Sequence, residues 1–479
     1  MRYQLREILD WFGSQAQWVG GEDRLEELVR GVSTDTRTLR AGELFVALCG
    51  ERFDGHQFVE EAFAKGATAA VVAREWAKNC GSPAGPLLVV EDPLRALCHL
   101  ARCHRRKFSI PVVALTGTVG KTTTKELVAA VLSERFRVLK NEKSFNNAVG
   151  VSQTLLSLEP EHEVAVSEIG TNHPGEIAAL TEIVEPTMGI ILNVGRGHLE
   201  FFGDVEGVRR EKYELAHWLE ERGRGPVLLN ADDPWIRSQP PSAKQLVWFG
   251  QEPWADVRVE VIGEEAGKPI LRFHGVSVVL PLVGGHHVGN AAAAVAVGLH
   301  FGLTPEEIAR GLSRVKASPH RGELKTVAGL TLVDDTYNCN PESARAACRL
   351  LASLEGNRKV AVFGDMLELG PRAQQEHAEL GAELAQLGVD LLFGFGTRMA
   401  AAVEAARATG LPARHFQDKS ALVEALVAEA RPGDVILFKG SRAMRMEEVL
   451  EEFLRRLADA EGRLAEPCAR ARSAGNGCG

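Results

Sequence analysis

The chain has 479 residues, 45% hydrophobic and 25% charged, with a formal net charge of −9. That length predicts about three domains, and the composition is that of a soluble globular protein. The negative balance argues against general nucleic-acid binding, which needs a positive footprint, and no apolar run nears the roughly 20 residues that span a bilayer.

Residues 1–105 hold short strands and turns. The start, MRYQLREILDWFG, predicts an amphipathic helix and has neither the apolar core nor the cleavage site of a signal peptide. Residues 44–48 (LFVAL) and 69–72 (AAVV) read as strands, and residues 81–86 (GSPAGP) as a loop. The eight cysteines form no CxxC pair in a chain far too large to need disulfides, which predicts reduced thiols and a cytoplasmic protein. Cys98-His99 and Cys103-His104 look superficially like a metal pair. On one helix Cys98 and Cys103 point well apart, so no zinc site is expected.

Residues 106–316 alternate apolar strands with helices, which predicts a largely parallel sheet covered by helices. The stretch 110–125, IPVVALTGTVGKTTTK, reads as a buried strand, a glycine-bounded loop and a helix start. Gly117, Thr118, Val119, Gly120, Lys121, Thr122 and Thr123 suit a phosphate cradle. Glycines let backbone amides approach the anion, Lys121 supplies a point charge, Thr122 a hydroxyl for magnesium, and the helix N-terminus a partial positive charge. Leu115 stands where the first glycine of the common GxxxxGK[ST] loop belongs, so a plain glycine turn before a helix is the competing reading. Glu168 ends the next strand and is placed to hold Mg²⁺ directly or through water, unless it merely starts a helix. His198 closes the loop of the following strand; it suits a metal or a phosphate oxygen, although a lone histidine is more often structural. Lys212, in RREKYE, reads as one more surface lysine.

Residues 317–460 repeat the strand–helix alternation, with strands expected at 330–333, 360–363, 391–395 and 435–438. Their loops carry DDTYNCNP (334–341), GDMLELG (364–370) and KGSR (439–442). In open α/β sheets ligands gather outside such strand ends. The first cluster suits either a simple strand-to-helix turn or a ribose with polar substrate groups, through residues such as Asp335, Asn338 and Asn340. Lys439 and Arg442 suit a carboxylate, which a guanidinium grips bidentately. Residues 461–479 lack apolar periodicity and are expected to be a disordered tail. The fold class is therefore α/β in three domains: a small mixed N-terminal one, a central P-loop one with a parallel sheet, and a Rossmann-like C-terminal one.

Taken together, these segments resemble the Mur ligases, which build the bacterial cell-wall peptide, over residues 25–455. TGTVGKTTTK is similar to the family's ATP loop in its shorter glycine spacing, with Val119 departing from the Asn or Ser common there. The resemblance implies ATP as cofactor and two Mg²⁺ ions, one served by Thr122 and Glu168 and the second by His198. It implies that Lys212 is carbamylated by CO2, turning a cation into a carboxylate for that second metal. It makes Asn290 the adenine contact, and Arg321 and Asp335 nucleotide contacts from the third domain.

The N-terminal segments containing Ser33, Thr34, Asp35, Arg37, Phe45, Asp54 and His56 resemble a uridine-nucleotide domain, and Asn146-Asn147 the muramyl-peptide contact. DDTYNCNP, GDMLELG and KGSRAMRMEEV resemble the branch that adds a dipeptide, and the DNPR segment of many diaminopimelate-adding enzymes is missing. The substrates implied are UDP-N-acetylmuramoyl-tripeptide and D-alanyl-D-alanine, in an ATP-dependent amide-forming ligase expected to be a monomer. The preceding ligase of the series and a non-ligating ATPase switch are the alternatives. Residues 318–320, Ser-Pro-His, are expected to form a hinge for domain closure.

Overall fold

A seven-stranded sheet lies at the centre of the molecule, in the spatial order Val138–Lys140, Val164–Glu168, Val112–Thr116, Met188–Ile191, Val227–Asn230, Leu246–Gly250 and Val257–Arg258. Every pairing in it is parallel. The structure, a computed structural model, describes residues 1–50, 53–81 and 84–473, with side chains described to residue 459. Residues 82–83 of the expected loop and 474–479 of the expected tail lie outside the described residues.

A parallel strand covered on both faces reads as an unbroken apolar run, which is why Val112–Thr116 shows no polar alternation. Its side chains still alternate in space. Val112 and Ala114 enter one core with the helices Glu176–Val184 and Val205–Glu221, while Val113 and Leu115 enter another with Lys121–Leu132 and His287–His300. The chain starts this sheet in the middle, builds one edge, then returns to the other side of Val112–Thr116. The carboxyl ends of the three middle strands therefore surround one crevice, the usual seat of a ligand.

Before this sheet stands a five-stranded one, ordered Ala16–Val19, Leu87–Val90, Ala69–Ala73, Leu44–Val46, Val32–Ser33, antiparallel at the first pair and parallel elsewhere. The helix Pro93–Arg105, capped by Asp92, shares one continuous core with Ala148–Leu156 and Glu176–Val184. The N-terminal and central sheets are thus joined by buried apolar surface. Among the described residues no helix is long and apolar enough to cross a membrane.

The C-terminal sheet has six strands: Glu323–Val327, Leu330–Asp335, Asp434–Lys439, Arg358–Gly364, Leu391–Phe395 and Ala413–Phe416, antiparallel only at the first pair. The four inner strands are those expected. The two edges, ELKTV and ARHF, are half-polar and short, so their sequence carries little strand signal.

Two features differ from the sequence reading. Glu260–Glu265, Lys268–Phe273 and Val276–Val279 form an antiparallel sheet inside the region expected to alternate strand and helix. Its turns are Ala266-Gly267 and His274-Gly275, all four residues at positive φ, as two-residue hairpin loops require. The last helix, Met446–Ser473, runs into the segment expected to be disordered from 461. Glu, Leu, Ala and Arg favour this extension, against the opposing propensities of Gly462 and Pro467.

Candidate active site

The loop after Val112–Thr116 opens directly into the helix Lys121–Leu132, whose N-terminal position Gly120 is left-handed at φ 80° and offers no side-chain cap. The first amides of that helix are donors available to an anion. Gly120 also meets the helix His287–His300 closely: a Cβ there would lie 2.4 Å from Asn290 Oδ1. Asn193, at the end of the neighbouring strand, braces the loop. Its Oδ1 accepts from Thr118 N at 2.8 Å and Val119 N at 2.9 Å, and its Nδ2 donates to Val119 O at 3.0 Å. Val119 joins through backbone alone, so its departure from the family pattern leaves the loop intact. Lys121 Nζ curls over the loop onto Gly117 O at 2.8 Å and Thr118 O at 3.3 Å.

Thr122 Oγ1 donates to Glu168 Oε2 at 2.9 Å and lies 3.2 Å from Ser144 Oγ. Asn146 Nδ2 donates to Glu168 Oε1 at 2.7 Å, and the Glu168 amide to Asn141 Oδ1 at 2.6 Å. The loop carrying Asn141, Ser144 and Asn146 is held by Lys125, a fully buried lysine whose ammonium donates to the carbonyls of Asn141 and Lys143. This donor set is hydroxyl and carboxylate oxygen, which fits a hard divalent cation such as Mg²⁺.

The C-terminal unit reaches the same point. Arg321 Nη2 donates to Thr122 Oγ1 and Ser144 Oγ, both at 3.1 Å, with its guanidinium carbon 3.9 Å from the Tyr337 ring centroid. Arg196, in the loop after Met188–Ile191, pairs with Glu342 at 3.0 Å and Glu376 at 3.1 Å across the same boundary. His198 Nδ1 lies 2.5 Å from Glu368 Oε2. The cleft so formed, about 370 Å³, is lined by residues 118–123, Glu168, His198, Asn290, Arg321, Asp335, Asn338, Asn340, Lys439 and Arg442 among others. Lys212 lies beside it on Val205–Glu221, buried to 3% exposure. Burial first, and the nearby Lys121 ammonium second, push its pKa well below the usual lysine value, against the pull of Glu211. The surface-lysine reading of Lys212 is overturned.

Several expected contacts have other tasks in this conformation. Lys439 is 2% exposed; it is bound to Asp335 Oδ2 at 2.5 Å and Asn338 O at 2.9 Å, a brace within the sheet end in place of an open carboxylate grip. Arg442 pairs with Glu447 at 2.7 Å. Asn340 caps the helix Pro341–Ser353, and Asn147 the helix Ala148–Leu156.

The N-terminal residues form a separate group that lines no part of this cleft. Phe45 is a core side chain, 1% exposed among Ala47, Val59 and Ala70, and offers no binding surface. Asp35 holds Arg37 at 2.6 Å and its backbone oxygen accepts from Ser33 Oγ at 3.0 Å. The Asp35–Arg37 bonds pull the Asp35 carboxyl down to about 2. Thr34 Oγ1 accepts from Gln153 of the central unit at 2.9 Å. His56 accepts the Ala73 amide on Nε2 at 2.9 Å and donates from Nδ1 to Asp54 at 2.7 Å, tying its hairpin to the sheet. Cys98 and Cys103 make separate contacts, with Ser152 and His99.

Matches to known families run in chain order between residues 28 and 442: "Mur ligase family, catalytic domain" over residues 28–104, "Mur ligase middle domain" over 115–298, and "Mur ligase, glutamate ligase domain" over 320–442. The chain belongs to the Mur ligase family. This Mur ligase is 36% identical over 437 residues to the UDP-N-acetylmuramoyl-tripeptide–D-alanyl-D-alanine ligase of Bacillus subtilis, covering 90% of this chain and 94% of that one. It is 38% identical over 430 residues to the ligase of the same name from Escherichia coli, covering 88% and 92%. Among solved structures it is similar to MurF from Acinetobacter baumannii, with a TM-score of 0.85 at 32% identity over 95% of this chain and 99% of that one. MurF from Thermotoga maritima in complex with ADP gives a TM-score of 0.79 at 31% identity, covering 90% and 99%.

The sequence reading of this Mur ligase missed Asn193, Ser144, Lys125, Arg196 and Glu368. Asn193 and Glu368 sit in strand-end loops, a signal that was present. Ser144 and Lys125 act by folding back onto the site, which no spacing reveals.

Proposed function

We propose that the protein is an ATP-dependent ligase joining D-alanyl-D-alanine to UDP-N-acetylmuramoyl-tripeptide in peptidoglycan precursor synthesis. One observation carries the reading: near full-length kinship with enzymes of that name coincides with a cleft where the Lys121-Thr122 loop, Glu168 and Arg321 converge. The tripeptide carboxylate attacks the γ-phosphate of ATP, breaking the bond to ADP and forming an acyl phosphate. The dipeptide amine then attacks that carbonyl; phosphate leaves with the bonding pair, and the amine proton goes to solvent.

The chain's own groups position and neutralise. Backbone amides at 120–122 hold the phosphates, on a loop braced by Asn193, and Lys121 uncurls from its loop carbonyls onto the γ-phosphate. Asn290 flanks the adenine, while Arg321 and Asp335 complete the nucleotide site from the C-terminal unit. Thr122 and Glu168 would hold one Mg²⁺, and His198 with Lys212 a second. When bound, such ions offset the charge that develops on the transferring phosphoryl group. The lowered pKa of Lys212 favours a neutral amine, the form that adds CO2 to give a carbamate and release a proton. Asn146 and Asn147 face the muramyl peptide, and Ser33, Thr34, Asp35, Arg37, Asp54 and His56 surround the uridine nucleotide. The enzyme works as a cytoplasmic monomer, and residues 318–320 bend as the units close on ligand.

The test is ADP release with UDP-muramyl-tripeptide, comparing D-alanyl-D-alanine with single amino acids, and product mass by spectrometry. Turnover only with the dipeptide, giving the pentapeptide product, supports the reading. Turnover with UDP-muramyl-dipeptide and a diamino acid assigns the preceding step, and ADP release without either acceptor assigns a switch.

A further inference from the structure

His198 and Glu368 stand out because both are non-glycine residues in left-handed backbone, at φ 55° and 61°, and they meet across the boundary between the central and C-terminal units. Such conformations cost on the order of 1 kcal/mol or more each and persist only where the surroundings enforce them. The enforcing contacts are specific. The Glu200 amide donates to Glu368 O at 3.1 Å, and Gly370, itself at φ 53°, packs so close that a Cβ would lie 3.2 Å from Glu200 Cα. The two loops are therefore interlocked by main chain as well as by the side-chain pair.

We propose that Glu368 is a positioning residue, which sets the tautomer and ring orientation of His198 only when the C-terminal unit is docked. The inference rests on the reading of His198 as a metal-site residue. A carboxylate is an acceptor only, so in the neutral ring the proton sits on Nδ1 and Nε2 keeps its lone pair. His198 lines the cleft, whereas Glu368 stands behind it, outside the lining. The histidine is thus presented to the cleft with its unprotonated Nε2 forward, the arrangement that a carboxylate behind a metal-binding imidazole produces. When the C-terminal unit swings away, Glu368 leaves with it and the ring is released. Closure then completes a ligand as well as the nucleotide pocket, which ties phosphoryl transfer to the docked state.

Glu342 is the control for a merely structural brace. It holds the same boundary through Arg196 at 3.0 Å and pairs with no histidine among the described residues. The experiment is nitrogen-15 NMR of histidine-labelled, metal-free protein closed on ADP, with the His198 signal identified by its loss in H198Q. The wild type is expected to show Nδ1–H, E368A a shift toward Nε2–H, and E368Q, whose amide oxygen still accepts, the wild-type tautomer. In the ligase assay, E368A is expected to lose about 10–100-fold in kcat, the usual cost of removing such a partner, with KM for ATP within twofold. E368Q should recover most of that loss, and E342A should leave the tautomer unchanged. If E368A does not fold, E368D, which withdraws the carboxylate by one methylene, replaces it. An unchanged tautomer in the alanine or aspartate variant overturns the proposal, as does equal loss in E368A and E368Q. Because the NMR arm needs no turnover, it reports even if the wild type proves not to join the dipeptide, an outcome that would overturn the functional reading alone.

Discussion

Substituting alanine for Gly120 separates nucleotide binding from folding. The methyl carbon would appear 2.4 Å from Asn290 Oδ1, on backbone at φ 80°. Left-handed backbone costs a non-glycine residue roughly 1–2 kcal/mol. Asn290 must also swing aside, giving up its 3.3 Å contact with His287 Nδ1, worth about 1 kcal/mol. The expected loss of stability is therefore roughly 2–3 kcal/mol. Nucleotide affinity falls further in relative terms, because the loop amides and Asn290, the proposed adenine contact, are displaced together. Two such contacts at about 1.4 kcal/mol each correspond to roughly 100-fold in Kd for ADP. Calorimetric titration with ADP and urea unfolding without nucleotide measure the two effects. Gly410→Ala is the control, since its φ is 88° and nothing lies within 4 Å of its added Cβ. It should lose stability by the backbone term and bind ADP normally. An ADP affinity for G120A within threefold of the wild type would refute the argument that the loop and Asn290 form one surface.

The other predictions concern charge. E168Q keeps the shape between Thr122 and Asn146 but removes the carboxylate; ADP release across a Mg²⁺ titration should fall by at least the 10–100-fold of an outer-shell loss, and full activity would exclude a metal role. R321A removes two hydrogen bonds of a charged group, so KM for ATP should rise about 10-fold or more, and an unchanged KM would separate Arg321 from the nucleotide. K212M should abolish turnover yet raise the urea midpoint at pH 7, because the buried, depressed amine it removes opposes folding there. Relative to that variant, wild-type stability should climb as pH approaches 10.5, since the unfolded chain binds the proton more tightly. His104 is held neutral by burial, with its pKa lowered from 6.5 to about 4, offset in part by its bond to Leu158 O. The unfolded chain takes up the proton first as pH falls, so stability should drop from pH 6.5 to 4 by roughly 3 kcal/mol more in the wild type than in H104Q. Parallel urea titrations of the two proteins at each pH would expose the error if their difference stayed constant.

What this sequence determined alone is whatever depends on contiguous residues. The strand, loop and helix around Lys121 were legible because an apolar run, two glycines and a helix start follow one another without interruption. The inner C-terminal strands were legible for the same reason, since buried parallel strands announce themselves by hydrophobicity. The edges Glu323–Val327 and Ala413–Phe416 were not, because a strand half in water has no such run. Tertiary structure decided the rest. It took Lys212 from a charged helical stretch that reads as solvated and buried it beside a second lysine. It put Phe45, on a strand whose segment resembles a uridine-nucleotide domain, into a core, and it turned Lys439 onto Asp335. Above all it joined Arg321 to Thr122 and Glu368 to His198, pairs separated by 199 and 170 positions. Local pattern records which face of an element seeks the core. Which charged groups meet across a boundary is set by how whole units dock, and no spacing along the chain encodes that.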